Sequence, residues 1–415
     1  MIRKIIPRSE FSRNVITLMT GTAVAQAIPI AISPILTRIY SPDEFGLFAI
    51  FMAIVSILGV VSTGRYELAI MLPKKDEDAL YVAISSFFIC SLLSVVILAI
   101  VVVSGDALSI LLDKPKIKKY LYLVPFFIFV SGSYQTLNYW LNRKKRYKTI
   151  SLNRTVQSGT SNFSQLGFGV LGQSYGLIVG TLMGQIFSLL FLFRSSDGLK
   201  PKSFKIKKIK LFSIMRKYSD FPKFDVPSSL INIAANQMPS ILLASIFGGA
   251  VSGYYYLTQR VLQAPITLIS SSVLDVFKQK ASEDYKSYGN CKSIFRKTFL
   301  TLTLISLPPS LVLYIYIEDL FSIIFGEQWK ESGTYAKILI PALCLRFIVN
   351  PLSFMIYVAQ KQVVNLFGMS LLFIMVLVGI IISDTSTEAI ASISISFVTV
   401  YLLYLFVSAR IAKAI

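Results

Sequence analysis

Four arginines stand out by where they fall. Arg260 and Arg346 lie about nine and eleven residues into long apolar runs, near mid-depth, while Arg65 and Arg154 sit at the ends of such runs. A guanidinium stays charged and grips oxyanions through two parallel N–H bonds. Holding one at the middle of a bilayer costs at least ~2.5–3.5 kcal/mol. Arg260 and Arg346 are therefore expected to face a hydrated path or a partner, the plainer alternative being a salt bridge or carbonyl contact between helices. Arg65 and Arg154 are shallow enough to reach water along their own stems. If they line a vestibule, they give an anionic group its first contact.

Uncharged polar residues add a second pattern. Asn153, Gln157, Ser161 and Gln165 recur every four residues, and Ser228/Ser229, Asn232 and Asn236 do the same, followed by Gln237. Such spacing puts each set on one helix face. Thr22 and Gln26 on the first apolar run, and Gln135, Asn138 and Tyr139 on the fourth, are further instances. Hydrogen bonds between helices explain such stripes at ~0.6–2 kcal/mol each; a hydrated lumen explains them as well. The candidate binding set is thus Arg260, Arg346, Arg65, Arg154, Gln26, Gln157, Asn232 and Asn236. The row Gly172, Gly176, Gly180 and Gly184, at spacing four, predicts close helix packing instead.

Absences remove most catalytic chemistry. The chain has no histidine, hence no imidazole base, shuttle or metal ligand. Cys90, Cys291 and Cys344 are far apart, without a CxxC, and no GxxxxGK[ST] phosphate loop occurs. Neither a catalytic residue, a metal nor a cofactor is expected; a driving ion, H⁺ or Na⁺, stays open. Deep carboxylates are nearly absent too, with Asp220 and Asp225 near a helix mouth and Glu67 and Asp275 at helix ends. Mid-membrane cations without mid-membrane acids favour an anionic cargo. The Asp76-Glu77-Asp78 triplet beside two lysines reads as solvated charge.

The elements that must carry these residues follow from composition. Hydrophobic residues make up 54% of the 415 and charged ones only 15%, with mean hydropathy +0.66 and a formal charge of +20. Ordinary soluble domains are about 25% charged, so the chain reads as an all-α polytopic membrane protein; nucleic-acid binding, the other reading of high basicity, fits such apolarity poorly. Twelve apolar runs are long enough to span: roughly 15–37, 45–71, 79–103, 117–141, 150–171, 174–194, 222–247, 251–276, 294–317, 335–359, 362–383 and 388–409. The Ala23-Val24-Ala25 stretch suggests a cleavage site, but apolarity continues past it, so the first helix is expected to be retained. With a cytoplasmic N-terminus, 30 of the 41 basic residues fall on the cytoplasmic side, 7 outside and 4 within or at the ends of spans. That asymmetry predicts both termini in the cytoplasm.

The basic stretch Lys200–Lys210 divides the spans six and six, giving an N-terminal lobe over 1–196, a basic cytoplasmic linker over 197–219 that lies near anionic headgroups, and a C-terminal lobe over 220–415. The halves look related. Residues 40–46 (YSPDEFG) precede the second run as 247–253 (FGGAVSG) precede the eighth, and 120–125 (YLYLVP) resembles 335–341 (YAKILIP). Six helices per half run both halves the same way, about an axis along the membrane normal, around a central cavity.

Residues 36–48 (LTRIYSPDEFGLF), 64–73 (GRYELAIMLP) and 74–79 (KKDEDA) carry a resemblance to the bacterial polysaccharide transporters. These form the O-antigen (lipid-linked oligosaccharide) flippase group of the MATE-like multidrug/oligosaccharidyl-lipid/polysaccharide exporter superfamily. The resemblance covers nearly the whole chain and implies a transporter rather than an enzyme, with two lobes whose cavity opens alternately to each side. It implies a cargo of undecaprenyl-diphosphate-linked oligosaccharide moving to the periplasmic leaflet of the bacterial inner membrane. Membrane lipids, a polysaccharide polymerase and a chain-length regulator would be its partners, without nucleic acid. A cation-coupled drug exporter of the same superfamily would want deep carboxylates. A glycan polymerase or ligase would want a large outer loop, and the longest outside loops span only about 104–116 and 318–334.

Overall fold

A backbone in hydrocarbon must satisfy its own N–H and C=O groups, which confines apolar runs of this kind to helices. The computed structural model describes residues 10–111, 117–196, 207–359 and 361–414. The first half holds α1 (Glu10–Ile39), α2 (Pro42–Val61), the short α3 (Tyr66–Ala69), α4 (Asp76–Leu111), the short α5 (Lys118–Leu121), α6 (Val124–Arg143), α7 (Tyr147–Val170) and α8 (Gly176–Ser195). After α9 (Lys208–Lys217) and one π-helical turn (Phe221–Asp225) come α10 (Val226–Phe247), α11 (Gly249–Tyr288), α12 (Lys292–Phe325) and α13 (Lys330–Leu352). The short α14 (Met355–Val358), α15 (Gln362–Ile381) and α16 (Ser386–Ile411) complete the described chain.

Twelve of these helices are long, one at each predicted apolar run. Among the described residues nine segments are long and apolar enough to cross a membrane. The remaining three long helices, α6, α7 and α11, carry the polar and charged residues singled out above, which dilute their hydropathy. Several boundaries differ from the hydropathy reading. The run 45–71 is two elements: α2 stops at Val61, and Gly64 and Arg65 then take successive left-handed conformations (φ +59° and +62°) before α3. At α4 and α11 the helix outlasts the apolar run, to Leu111 and Tyr288, because hydrogen bonding continues where hydrophobicity ends; α12 is apolar as far as Phe325, past the interrupting Glu318 and Asp319. The lysine cluster near 114–119 falls partly outside the described residues, Lys118 and Lys119 opening α5.

The helices pack as two units, residues 1–40 with 50–237, and 41–49 with 238–415. In the first, α7 lies between α1 and α8. The glycine row explains how closely. A methyl on Gly176 would meet the Tyr40 hydroxyl at 2.0 Å, one on Gly180 the Gln165 backbone at 2.6 Å, and one on Gly184 the Ser161 hydroxyl at 1.9 Å. Gly172 belongs instead to the turn after α7, with φ +70° and open space around it.

The second unit has two features of its own. The segment 41–49 crosses the start of α11 with almost no gap: a methyl on Gly46 would sit 1.9 Å from the Gly249 carbonyl, and one on Gly253 2.0 Å from that of Pro42. These are the two segments whose sequences look alike. Beside them Phe45 meets Trp329 edge-on at 4.9 Å, and Tyr254 meets Trp329 at 5.9 Å. A separate buried core, including Phe277, Phe295, Phe347 and Met355, joins α11, α12, α13 and α14.

Candidate functional site

Arg65 anchors the polar site of the first unit. The left-handed turn aims its side chain at the head of α10, where Nε donates to Asp225 Oδ2 at 2.6 Å and Nη2 to the Ser229 hydroxyl at 2.8 Å. Nη1 lies 3.7 Å from Glu67 Oε1. Glu67 is only 2% exposed, and the Thr63 hydroxyl donates to its other oxygen. The carboxyl sits between the span that ends at Val61 and the one that starts at Asp76. Burial pushes its pKa above the ordinary carboxylate range, against the opposing pull of the Thr63 hydrogen bond and of Arg65. Tyr139 of α6 faces the same three charges. One cation thus serves two carboxylates, one solvated and one buried.

The linker helix α9 closes this end. Its Leu211, Ile214 and Met215 pack into a core with Tyr66, Tyr81 and Trp140. The Tyr66 hydroxyl donates to the Met215 carbonyl at 2.8 Å. Lys210 holds Glu77 at 2.8 Å and Asp78 at 2.9 Å, and these hydrogen bonds raise its pKa. Glu77 and Asp78 therefore tie down α9, while Asp76 pairs with Arg143 at 2.9 Å and with Lys144; all three acids keep contact with solvent.

The other first-unit candidates divide by face. Asn153 exchanges hydrogen bonds with Ser188 at 2.8 and 3.1 Å, and Gln165 donates to the Leu177 carbonyl and the Thr181 hydroxyl. That part of the α7 stripe stitches α7 to α8. Gln157 lies on the same face and is half-buried, its carbonyl beside Gly184. One residue round, Arg154 donates to the Thr22 hydroxyl of α1, and Ser158 to the Ala25 carbonyl at 2.6 Å. Gln26 buries a side-chain oxygen without a hydrogen-bond partner among the described residues. Asn232 and Asn236 are exposed, Asn236 Nδ2 donating to the Asn232 carbonyl at 2.8 Å.

In the second unit, the two deep arginines sit among tyrosines. Arg260 shares a hydrogen bond with Tyr256, one helical turn earlier on α11. Arg346 of α13 interacts electrostatically with Tyr255 of α11 and Tyr401 of α16. Gln259 hydrogen-bonds Tyr255, and Gln263 donates to Gln259. Both arginines are half-buried. On α11 the spacing of four in Tyr255, Gln259 and Gln263 and in Tyr256 and Arg260 was a signal the sequence carried; Arg346 and Tyr401 come from other helices and no spacing links them to α11. The side chain of Asp275 lies outside the described set. Each arginine thus has hydroxyl neighbours of its own, Tyr256 for Arg260 and Tyr255 and Tyr401 for Arg346, groups able to hydrogen-bond an oxyanion or polyol. Among the described residues no group of His, Cys, Asp and Glu could hold a metal.

Comparison with known proteins fixes the family. The model described as "Polysaccharide biosynthesis protein" matches residues 35–334, well over half of the chain. The chain belongs to this family. Among curated relatives, the teichuronic acid biosynthesis protein TuaB of Bacillus subtilis (strain 168) is 24% identical over 227 residues, covering 52% of this chain and 44% of that protein. The succinoglycan biosynthesis transport protein ExoT of Rhizobium meliloti (strain 1021) is 22% identical over 306 residues, covering 72% and 59%. The match thus spans about half the length of these relatives. The solved structure of the lipid II flippase MurJ, in an inward closed conformation, superposes with a TM-score of 0.73 over 96% of this chain and 87% of that one. At 15% identity, the likeness establishes the fold: an all-α polytopic membrane architecture.

Proposed function

We propose that this chain is a transporter, not an enzyme, which moves an undecaprenyl-diphosphate-linked oligosaccharide such as an O-antigen repeat unit. It carries the cargo from the cytoplasmic to the periplasmic leaflet of the inner membrane by alternating access. The observation that carries the reading is two half-buried arginines beside hydroxyl groups, Arg260 with Tyr256 and Arg346 with Tyr255 and Tyr401. A diphosphate needs fixed cations in a low-dielectric path, and sugars need hydroxyl and amide partners. The family assignment, a relative named a transport protein and a structural neighbour named a flippase support the same reading. Arg65 and Arg154, with Gln26, Gln157, Asn232 and Asn236, are assigned to the path by which the cargo enters.

The test replaces Arg260 or Arg346 by Ala, with matched Lys variants, and measures surface polysaccharide at equal protein level. The Ala variants should lower it at least tenfold while lipid-linked intermediate collects on the cytoplasmic side. Normal polysaccharide in both Ala variants would remove these residues from the transport path, and unpolymerised units collecting outside would assign the chain to polymerisation.

A further inference from the structure

At one end of the second unit, the first turn of α12 meets the residues that follow α16. The Cys291 N–H donates to the Ala412 carbonyl at 3.2 Å, and the Arg296 guanidinium donates to the Ala414 carbonyl at 2.8 Å. Beneath this collar lies a cavity of about 440 Å³, walled by Phe295, Phe299, Leu402, Leu405 and Phe406, with Arg296 at its rim. That volume falls within the ~300–1,000 Å³ of small-molecule sites. Phe299 is one turn further into α12 than Phe295, and Leu402 lies more than two turns back from the end of α16. The apolar walls therefore run from the charged helix ends toward hydrocarbon depth.

Charge gathers at the same end. Lys292, Arg296, Lys297, Arg410 and Lys413 are all exposed. None of them pairs with a carboxylate among the described residues. Asp284, which faces Cys291, is already held by Lys280 at 3.2 Å. A cationic rim without a carboxylate partner among the described residues, over an apolar groove, matches a molecule with a phosphate at one end and a hydrocarbon chain at the other.

We infer that this groove binds an anionic phospholipid of the surrounding leaflet. One acyl chain lies along the aromatic and leucine walls, and the phosphate meets Arg296, with Lys292 and Arg410 adding attraction. Basic pockets between membrane helices select anionic headgroups on these grounds. The bond to the Ala414 carbonyl fixes the guanidinium plane and leaves further N–H donors for a bidentate phosphate contact. A zwitterionic lipid would bring its own ammonium against the same five cations, so the site discriminates between headgroups.

Native mass spectrometry of the detergent-solubilised full chain, titrated with phosphatidylglycerol or phosphatidylcholine, tests the assignment. Phosphatidylglycerol adducts should form at lower lipid concentration than phosphatidylcholine adducts. R296Q should weaken them roughly tenfold, about what losing one hydrogen bond to a charged group is worth, and weaken phosphatidylcholine, whose ammonium already keeps its phosphate off the cationic rim, by less. L402W, which fills the groove from an exposed position, should weaken both lipids, while K330Q, a cation lost elsewhere, should change neither. If R296Q fails to fold, R296K and L402W carry the test, since R296K keeps the charge and loses the fork. Equal binding of the two lipids, or wild-type phosphatidylglycerol binding by R296Q or R296K, overturns the site. Displacement of phosphatidylglycerol by equimolar polyprenyl monophosphate also overturns it, by giving the groove to the carrier lipid.

Discussion

Removing Arg65 should destabilise the chain several-fold more than removing its closer partner. The Arg65–Asp225 bond is the shorter, at 2.6 Å, but the Asp225 side chain is 40% exposed. Screening leaves such a pair worth about 0.2–1 kcal/mol, so D225N should cost less than 1 kcal/mol. Glu67 lies further off, at 3.7 Å, yet is only 2% exposed. Stripping the cation from a buried pair costs about 3–5 kcal/mol. The long separation and the hydrogen bond that Thr63 still donates place R65Q near the low end, about 3 kcal/mol. Glutamine keeps the same left-handed backbone requirement as arginine, so the difference reports the charge. E67Q in the R65Q background should restore about 2 kcal/mol, because neighbours in one network couple by ~0.5–3 kcal/mol. SDS titration in mixed micelles, followed by helical circular dichroism, measures all four proteins. Equal losses in R65Q and D225N, or a double variant no more stable than R65Q, would refute the reasoning.

Two further outcomes follow from the same structure. Burial raises the Glu67 pKa in the folded chain, so the folded state holds that proton more tightly than the unfolded one. Its contribution is fully present below the ordinary carboxylate value of about 4.3 and is lost as pH rises through the raised folded value; unfolding measured across this window should flatten in E67Q. At the helix crossing, G46A should lower the melting temperature, because the added methyl would lie 1.9 Å from a backbone oxygen and overpacking costs ~1–3 kcal/mol. G59A, on the same helix with no atom within 4 Å, should raise stability by ~0.5–1 kcal/mol.

Hydropathy located every long helix, since burying an apolar run in lipid leaves its backbone few alternatives. It misjudged ends where helical hydrogen bonding and apolarity part company, as at Tyr288, and where two acids interrupt an apolar run, as before Phe325. Within 45–71, Gly64 was the available signal that the helix breaks, since glycine takes positive φ at little cost. The partnership of Arg65 with Asp225 was beyond reach, because 160 residues separate them and no periodicity links positions on different helices. The α7 stripe was legible as a face but not as a purpose: Asn153 and Gln165 stitch α7 to α8, while Arg154, one residue away, turns to α1. Tyr256, four residues before Arg260, was within reach of periodicity, whereas Tyr401 beside Arg346 was not, since the two lie on different helices.

The docking of α9 bears on how such a chain can be divided or inherited. A cut within 197–206 leaves α9 and the first half of α10 on the downstream piece. Yet the Lys207 N–H donates to the Tyr81 hydroxyl, while Tyr66 donates to the Met215 carbonyl and Arg65 to Asp225. The upstream piece alone would expose an apolar seat and a buried acid whose arginine has lost its other carboxylate. Although the halves look like copies of one ancestor, each now completes the other's interior. A gene fission at the linker would therefore demand co-expression and assembly of both products, and swapping halves between relatives would require the α9 seat to travel with its occupant.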